Sequence, residues 1–173
     1  MFDKQYRIYG THADKVNQLT AVFDETSKAK LFERNLDVLL NAPLVGFMYK
    51  TKGEINGKDR DTSIFTEQMV SVQDKLMYYL RLILLLDEEY EPNEEKRLDK
   101  AFREFGKDEN DLALFDAYVL GGIDIIYDKV IEGANDPSEY INRLYDFVEE
   151  FNQRFNEELD SNAILKKCNI ETD

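Results

Sequence analysis

The stretch Glu109-Asn110-Asp111-Leu112-Ala113-Leu114-Phe115-Asp116-Ala117-Tyr118-Val119-Leu120-Gly121-Gly122-Ile123-Asp124-Ile125-Ile126-Tyr127-Asp128-Lys129-Val130-Ile131-Glu132 decides the fold class. Placed at 100° per residue, Leu112, Phe115, Tyr118, Val119, Gly122, Ile125, Ile126 and Val130 gather on one broad half of a helix, and Asp116, Ala117, Gly121, Asp124 and Asp128 on the other. That period, sustained without a proline, predicts a long amphipathic helix. Gly121-Gly122 in its middle predicts close packing or a kink rather than a phosphate loop.

The chain on either side reads the same way. Asp136-Pro137-Ser138-Glu139 is a helix start, with an N-cap acid, a proline at the first helical position and a further acid at the third. Tyr140, Leu144, Phe147, Val148, Phe151, Phe155 and Leu159 then follow at helical spacing, and Asp160-Ser161 opens a last turn that packs Ile164 and Leu165. Upstream, Leu98, Ala101, Phe102 and Phe105 predict a short amphipathic helix closed by Gly106. Before the break at Pro92, a helix capped by Thr66 and reaching about Tyr90 carries the strongest apolar run, Leu76 to Leu86; apolar nearly all round, it is expected to be the buried central helix. Two further helices are expected as an antiparallel pair, one over 12–23 after a Thr11 cap, the other over 27–40 and stopped by Asn41-Ala42-Pro43. Asn56-Gly57 carries the signature of a type I′ turn, which would set Lys52 opposite Asp61, Thr51 opposite Thr62 and Tyr49 opposite Ile64. Residues 45–65 are therefore either a small β-hairpin or a solvated loop. The expectation is a mainly α protein, an irregular bundle of about six or seven helices forming one domain over residues 1–173, with that hairpin as its only β-structure.

All of the net charge lies in the second half. Residues 1–80 carry 11 acids and 11 bases, residues 81–173 carry 25 acids and 11 bases, and the total is −14. Such a surface repels nucleic acid and anionic membrane and attracts a basic protein surface. A single cysteine, Cys168, excludes an internal disulfide and a Cys-rich zinc site and suggests a reducing compartment. With no apolar leader at Met1 and no apolar run near the roughly 20 residues of a membrane span, the expectation is a cytoplasmic, soluble protein.

One histidine, His12, excludes the His-rich phosphohydrolase, deaminase and di-iron constellations, and His12 itself reads as a surface residue in the first turn of a helix. No phosphate-binding glycine loop or nucleophile elbow occurs. Arg81 is the one charge within the most apolar run; buried alone it would be costly, so Asp124 and Asp128 are expected as its ion-pair partners. The acids Glu88, Glu89, Glu91, Glu94, Glu95, Glu149, Glu150, Glu157 and Glu158 are the expected interaction surface. Glu91-x-x-Glu94 with Asp108-x-x-Asp111 is similar to the paired acidic signature of all-helical nucleotide pyrophosphohydrolases of the MazG type, which implies Mg²⁺ held against a triphosphate. Here the second pair opens with Asp rather than Glu, and both pairs sit at helix starts.

The function expected from these features is that of a non-enzymatic interaction or accessory protein with an acidic helical surface, without cofactor or metal, binding a basic protein partner or a second copy of itself. One rival is a DNA-mimic-like inhibitor whose carboxylates occupy a nucleic-acid-binding groove. The other is the Mg²⁺-dependent hydrolase.

Overall fold

The computed structural model describes residues 1–155, so Glu157, Glu158, Leu159, Ile164, Leu165 and Cys168 lie outside the described residues. The elements in order are β1 (Tyr6–Tyr9), α1 (Gly10–Leu19), β2 (Val22–Asp24), β3 (Ala29–Lys30), α2 (Asn35–Met48), β4 (Asp61–Ile64), α3 (Thr66–Leu86), α4 (Glu94–Leu98), a π-helical turn (Asp99–Arg103), α5 (Glu109–Val130) and, after a 3₁₀ turn (Pro137–Glu139), α6 (Tyr140–Phe155). The protein is mainly helical, as expected.

The centre of the fold is α5 crossing α2, not α3. Leu114, Phe115, Tyr118, Val119, Leu120, Ile123, Ile126 and Val130 are buried around most of the circumference of α5, and α2 sets Val38, Leu39, Ala42 and Val45 against it. Two glycines make the crossing close: a Cβ on Gly122 would lie 1.8 Å from the Ala42 carbonyl oxygen, and one on Gly46 would lie 2.1 Å from that of Tyr118. The adjacent Gly121 faces the opposite way, where the Thr51 carbonyl oxygen would stand 2.0 Å from an added Cβ. The expected central helix, α3, buries Met69, Leu76, Leu80, Ile83 and Leu84 but turns Val70, Tyr78 and Leu86 to solvent. It is a covering helix, because its apolar run is longer than the one face its neighbours take.

Pro43, expected to end the second helix, lies inside it. The helix starts instead at Asn35, where the Asp37 carboxylate accepts the Arg34 N–H at 3.0 Å, and the burial of Ala42 and Pro43 outweighs the backbone bond that proline cannot make. The segment expected to open that helix forms the β2–β3 hairpin, tightened by Asp24, which accepts from the Thr26 N–H at 2.8 Å and the Ser27 hydroxyl at 2.6 Å.

The hairpin expected over 45–65 does not form. Asp61–Ile64 is a strand, but it pairs antiparallel with Tyr6–Tyr9 in the register Tyr6↔Ile64 and Ile8↔Thr62. Gly57 does take the left-handed conformation expected of it, at φ +83°. Residues 51–60 are drawn away instead across α5, where the Gly53 N–H donates to the Ala117 carbonyl at 2.8 Å. Pairing with β1 buries Ile8 and Ile64 together, which a local two-residue hairpin would not achieve.

The Asp136-Pro137 start of α6 is present as read: the Asp136 carboxylate accepts the Ser138 N–H at 2.8 Å. Tyr140, Leu144, Phe147 and Phe151 face the body, whereas Val148 is exposed together with Ile141 and Tyr145.

Replacing Gly122 by Ala is expected to cost at or above the upper end of the roughly 1–3 kcal/mol typical of overpacking, because the new methyl meets a backbone carbonyl rather than a movable side chain. Gly133→Ala, with nothing within 4 Å but φ +74°, is expected to cost only about 1 kcal/mol. Urea titration of the two variants checks the order.

Candidate functional site

A charged concavity lies where α4, the π-helical turn and the start of α5 meet. It encloses about 640 Å³ and is lined by Glu91, Asp99, Glu104, Asp108, Glu109 and Asp111 against Lys96, Lys100 and Lys107, with Asn110. Each wall follows from local sequence. Asn93 caps α4 by accepting the Lys96 N–H at 3.0 Å, and Asp108 caps α5 by accepting the Asn110 N–H at 2.9 Å. Acids in these first turns also meet the positive ends of the helix dipoles.

The buried arginine of this protein is Arg97. Its guanidinium donates to the carbonyls of Leu85 at 3.0 Å, Glu91 at 3.0 Å and Pro92 at 3.1 Å, with Glu88 at 3.5 Å. One flat five-donor fork thus satisfies the turn that ends α3 and clamps it onto α4. Asp87, only 4% exposed, anchors the same turn by accepting from the Glu89 and Tyr90 amides at 3.2 and 3.1 Å and from the Tyr118 hydroxyl at 2.6 Å. Burial and then the Asp87 carboxylate push the Tyr118 phenol well above its ordinary pKa. Lys52 approaches Asp87 at 3.6 Å over the Tyr118 ring.

In the cleft the Lys100 ammonium stands between two carboxylates, 2.8 Å from Asp108 and 2.9 Å from Asp111, and the Tyr90 hydroxyl donates to the same Asp111 Oδ1 at 2.7 Å. Burial works against the charged ammonium, but its hydrogen bonds to Asp108 and Asp111 outweigh that and hold its pKa above the ordinary lysine value. Burial, then the bond to Asp111, pushes the Tyr90 phenol up to about 12. Asp111 itself is 1% exposed, and its Oδ2 has no hydrogen-bond partner.

The expected pairing of Arg81 is corrected. Arg81 is exposed, its guanidinium 4.3 Å above the Phe105 ring, so its charge stays in water while its stem covers an aromatic face. Asp124 and Asp128 point to α1 instead. Asp124 meets Lys15 at 2.9 Å and the His12 Nε2 at 3.2 Å, and Asp128 meets Lys15 at 3.5 Å. His12 is buried, not a surface residue, with Nδ1 unpartnered. The pairing rule was sound, but the helix opposite these acids is α1 rather than α3.

Of the expected acidic surface, Glu88, Glu89, Glu94, Glu95 and Glu149 are exposed, with Glu89 3.1 Å from Lys50. Glu91 accepts the Asn93 N–H at 3.0 Å and lines the cleft. Glu150 is drawn into a contact with Lys129 at 2.7 Å and the Tyr49 hydroxyl at 3.1 Å. Of the acids expected for a Mg²⁺ site, Glu91, Asp108 and Asp111 share the cleft and Glu94 does not line it. Among the described residues no three His, Cys, Asp or Glu side chains stand close enough to hold a metal ion, and the Lys100 ammonium fills the gap between Asp108 and Asp111.

Sequence reasoning missed Lys100, Tyr90 and Arg97. Their partners lie across turns from them, at separations with no helical or strand period to mark them. Asp87 carried a usable signal, since it directly follows the apolar run that ends at Leu86.

No family model, curated protein or solved structure matches the chain. No described helix is long and apolar enough to cross a membrane.

Arg81→Ala is expected to change stability by no more than about 1 kcal/mol in denaturant titration, the scale of an exposed cation–π contact. Tyr90 offers a test with a defined sign. Its folded pKa lies above the ordinary phenol value, so its stabilising contribution is complete below about pH 10 and is lost as pH rises toward about 12. The stability difference between wild type and Tyr90→Phe should be flat up to about pH 10 and shrink above it.

Proposed function

We propose that the protein is a non-catalytic accessory protein that docks a basic surface of a partner protein on the acidic end formed by the 87–95 turn, α4, the π-helical turn and the start of α5. The observation that carries this reading is the cleft itself, with six carboxylates against three ammonium groups, flanked by the exposed acids Glu88, Glu89, Glu94 and Glu95. Part of the excess negative charge of the chain's second half is thereby gathered at a concave feature, where field lines focus.

Exposed apolar groups on the same helical segment strengthen the reading. Leu98 and Phe102, expected to pack inward, are 43% and 61% exposed. Ala101 alone of that stripe is buried, with Phe105 half-buried, because the extra residue in the π-helical turn rotates Phe102 outward. An exposed large aromatic on a segment that also carries charges suits a docking surface, in which the ring supplies affinity and the charges supply orientation and association rate.

The test is non-covalent capture of a partner from native extract by wild type and two variants, Phe102→Ala and Glu94→Lys/Glu95→Lys. Screening contracts from about 30 Å at 0.01 M salt to about 8 Å at 0.15 M, so capture should fall steeply over that range and be lost on charge reversal. Phe102→Ala should raise dissociation with little change in salt slope. A partner retained equally at high salt and by the charge-reversed variant would refute the proposal. Displacement of the partner by duplex DNA would identify its basic surface as a nucleic-acid groove, the outcome that favours mimicry.

A further inference from the structure

The cleft holds one group whose hydrogen-bonding needs the fold leaves unmet. Asp111 is 1% exposed and lines the cavity, yet its Oδ2 accepts nothing, while Oδ1 takes both the Tyr90 hydroxyl and the Lys100 ammonium. A buried carboxylate oxygen without a donor is costly to maintain, and a donor brought by a ligand would relieve that cost.

Lys100 shows which chemistry fits. Its ammonium is cradled by Asp108 and Asp111 and lies 5.3 Å from the centre of the Tyr90 ring, so carboxylates take the N–H groups and an aromatic ring meets the charge. The residue is carried on a π-helical turn, a rare conformation that widens the helix by one residue and recurs at functional sites. The remaining space, about 640 Å³ with an excess of three carboxylates, repels an anion. The spacing of its acids does not gather three of them around a metal ion. An elongated organic cation meets both conditions, because its charges are spread along a stem and each needs only one or two oxygens.

We propose that this cleft binds a primary alkylammonium group, with Lys100 as a resident occupant that yields Asp108 and Asp111 in part to the incoming amine, whose extra N–H serves the Asp111 Oδ2. The inference rests on the reading of this end of the molecule as a cation-docking face, and concerns the floor of the cleft rather than its rim. A free polyamine and a lysine side chain of a protein share this chemistry.

The test is titration of the full chain with spermidine, and separately with the peptide Gly-Lys-Gly-Lys-Gly, followed by calorimetry and amide NMR shifts. The expected result is saturable one-to-one binding with shifts confined to residues 90, 91, 99–100 and 108–111. Asp111→Asn should weaken it about tenfold or more, and Lys100→Met should tighten it several-fold by removing the competing occupant. A lysine with a purely structural role would not give that gain. If Lys100→Met does not fold, Asp108→Asn, at the half-exposed helix cap, should still weaken binding about threefold. Saturation by spermidine alone identifies a free polyamine as ligand, and saturation by the peptide as well identifies a lysine side chain. Non-saturating shifts spread over Glu94, Glu95 and Glu149, unaltered by Asp111→Asn, would be counter-ion condensation and would overturn the inference. Salt-sensitive partner capture alongside an unresponsive cleft would overturn the alkylammonium site while leaving the docking face. Cleft binding without partner capture would do the reverse.

Discussion

The contact on which the remaining structure depends is the meeting of two backbones where α2 crosses α5. Helices ordinarily touch through side chains, with axes about 8–10 Å apart. At Gly46 and Gly122 the carbonyls of Tyr118 and Ala42 instead occupy the space a side chain would fill. Because Gly121 faces away from that crossing, α5 can be approached on its other side by the extended segment around Thr51 and Gly53. A helix pinned on two sides is a rigid post. Its N-terminal turn carries Asp108 and Asp111, which meet Lys100 of the π-helical turn, while α4 and that turn pack against α3.

Two cations at that end, Arg97 buried and Lys100 partly buried, are accommodated by different means. Arg97 is matched by uncharged carbonyls left over at the end of α3 and in the turn that follows, so its burial leaves no carboxylate tied to it beyond Glu88 at the surface. Lys100 is matched by carboxylates, and because each offers two oxygens, Asp111 Oδ2 is left over. The first arrangement is closed and structural. The second leaves one buried acceptor without a donor, and the difference lies in acceptor count rather than in charge.

What could be read from sequence was whatever local periodicity and capping decide. The long helix around Gly121-Gly122 and the Asp136-Pro137 start needed only their own residues, and both are present. What failed depended on partners far along the chain. Pro43 ends a helix in isolation, but not one held against α5. Asn56-Gly57 invites a hairpin, yet the strand after it pairs with residues more than fifty positions earlier. Arg81 needed a destination and was given acids from the wrong neighbour, since nothing in an apolar run says which face will be covered. Of the cleft, the acids were legible as a cluster, whereas Lys100 and Tyr90 became part of it only through a turn.

The pairing of Tyr6–Tyr9 with Asp61–Ile64 also sets an order of events during synthesis. A ribosome adds about 5–20 residues per second, so β1 emerges several seconds before the strand that completes it. Throughout that interval Ile8 has no partner for its buried face, and the edge of β1 is unpaired. Arg7, exposed in the middle of the strand, and the short four-residue length are features that keep such an edge from recruiting another nascent chain. β1 is thus made before the strand that secures it, which makes its few residues a point of vulnerability in biogenesis rather than in the finished fold.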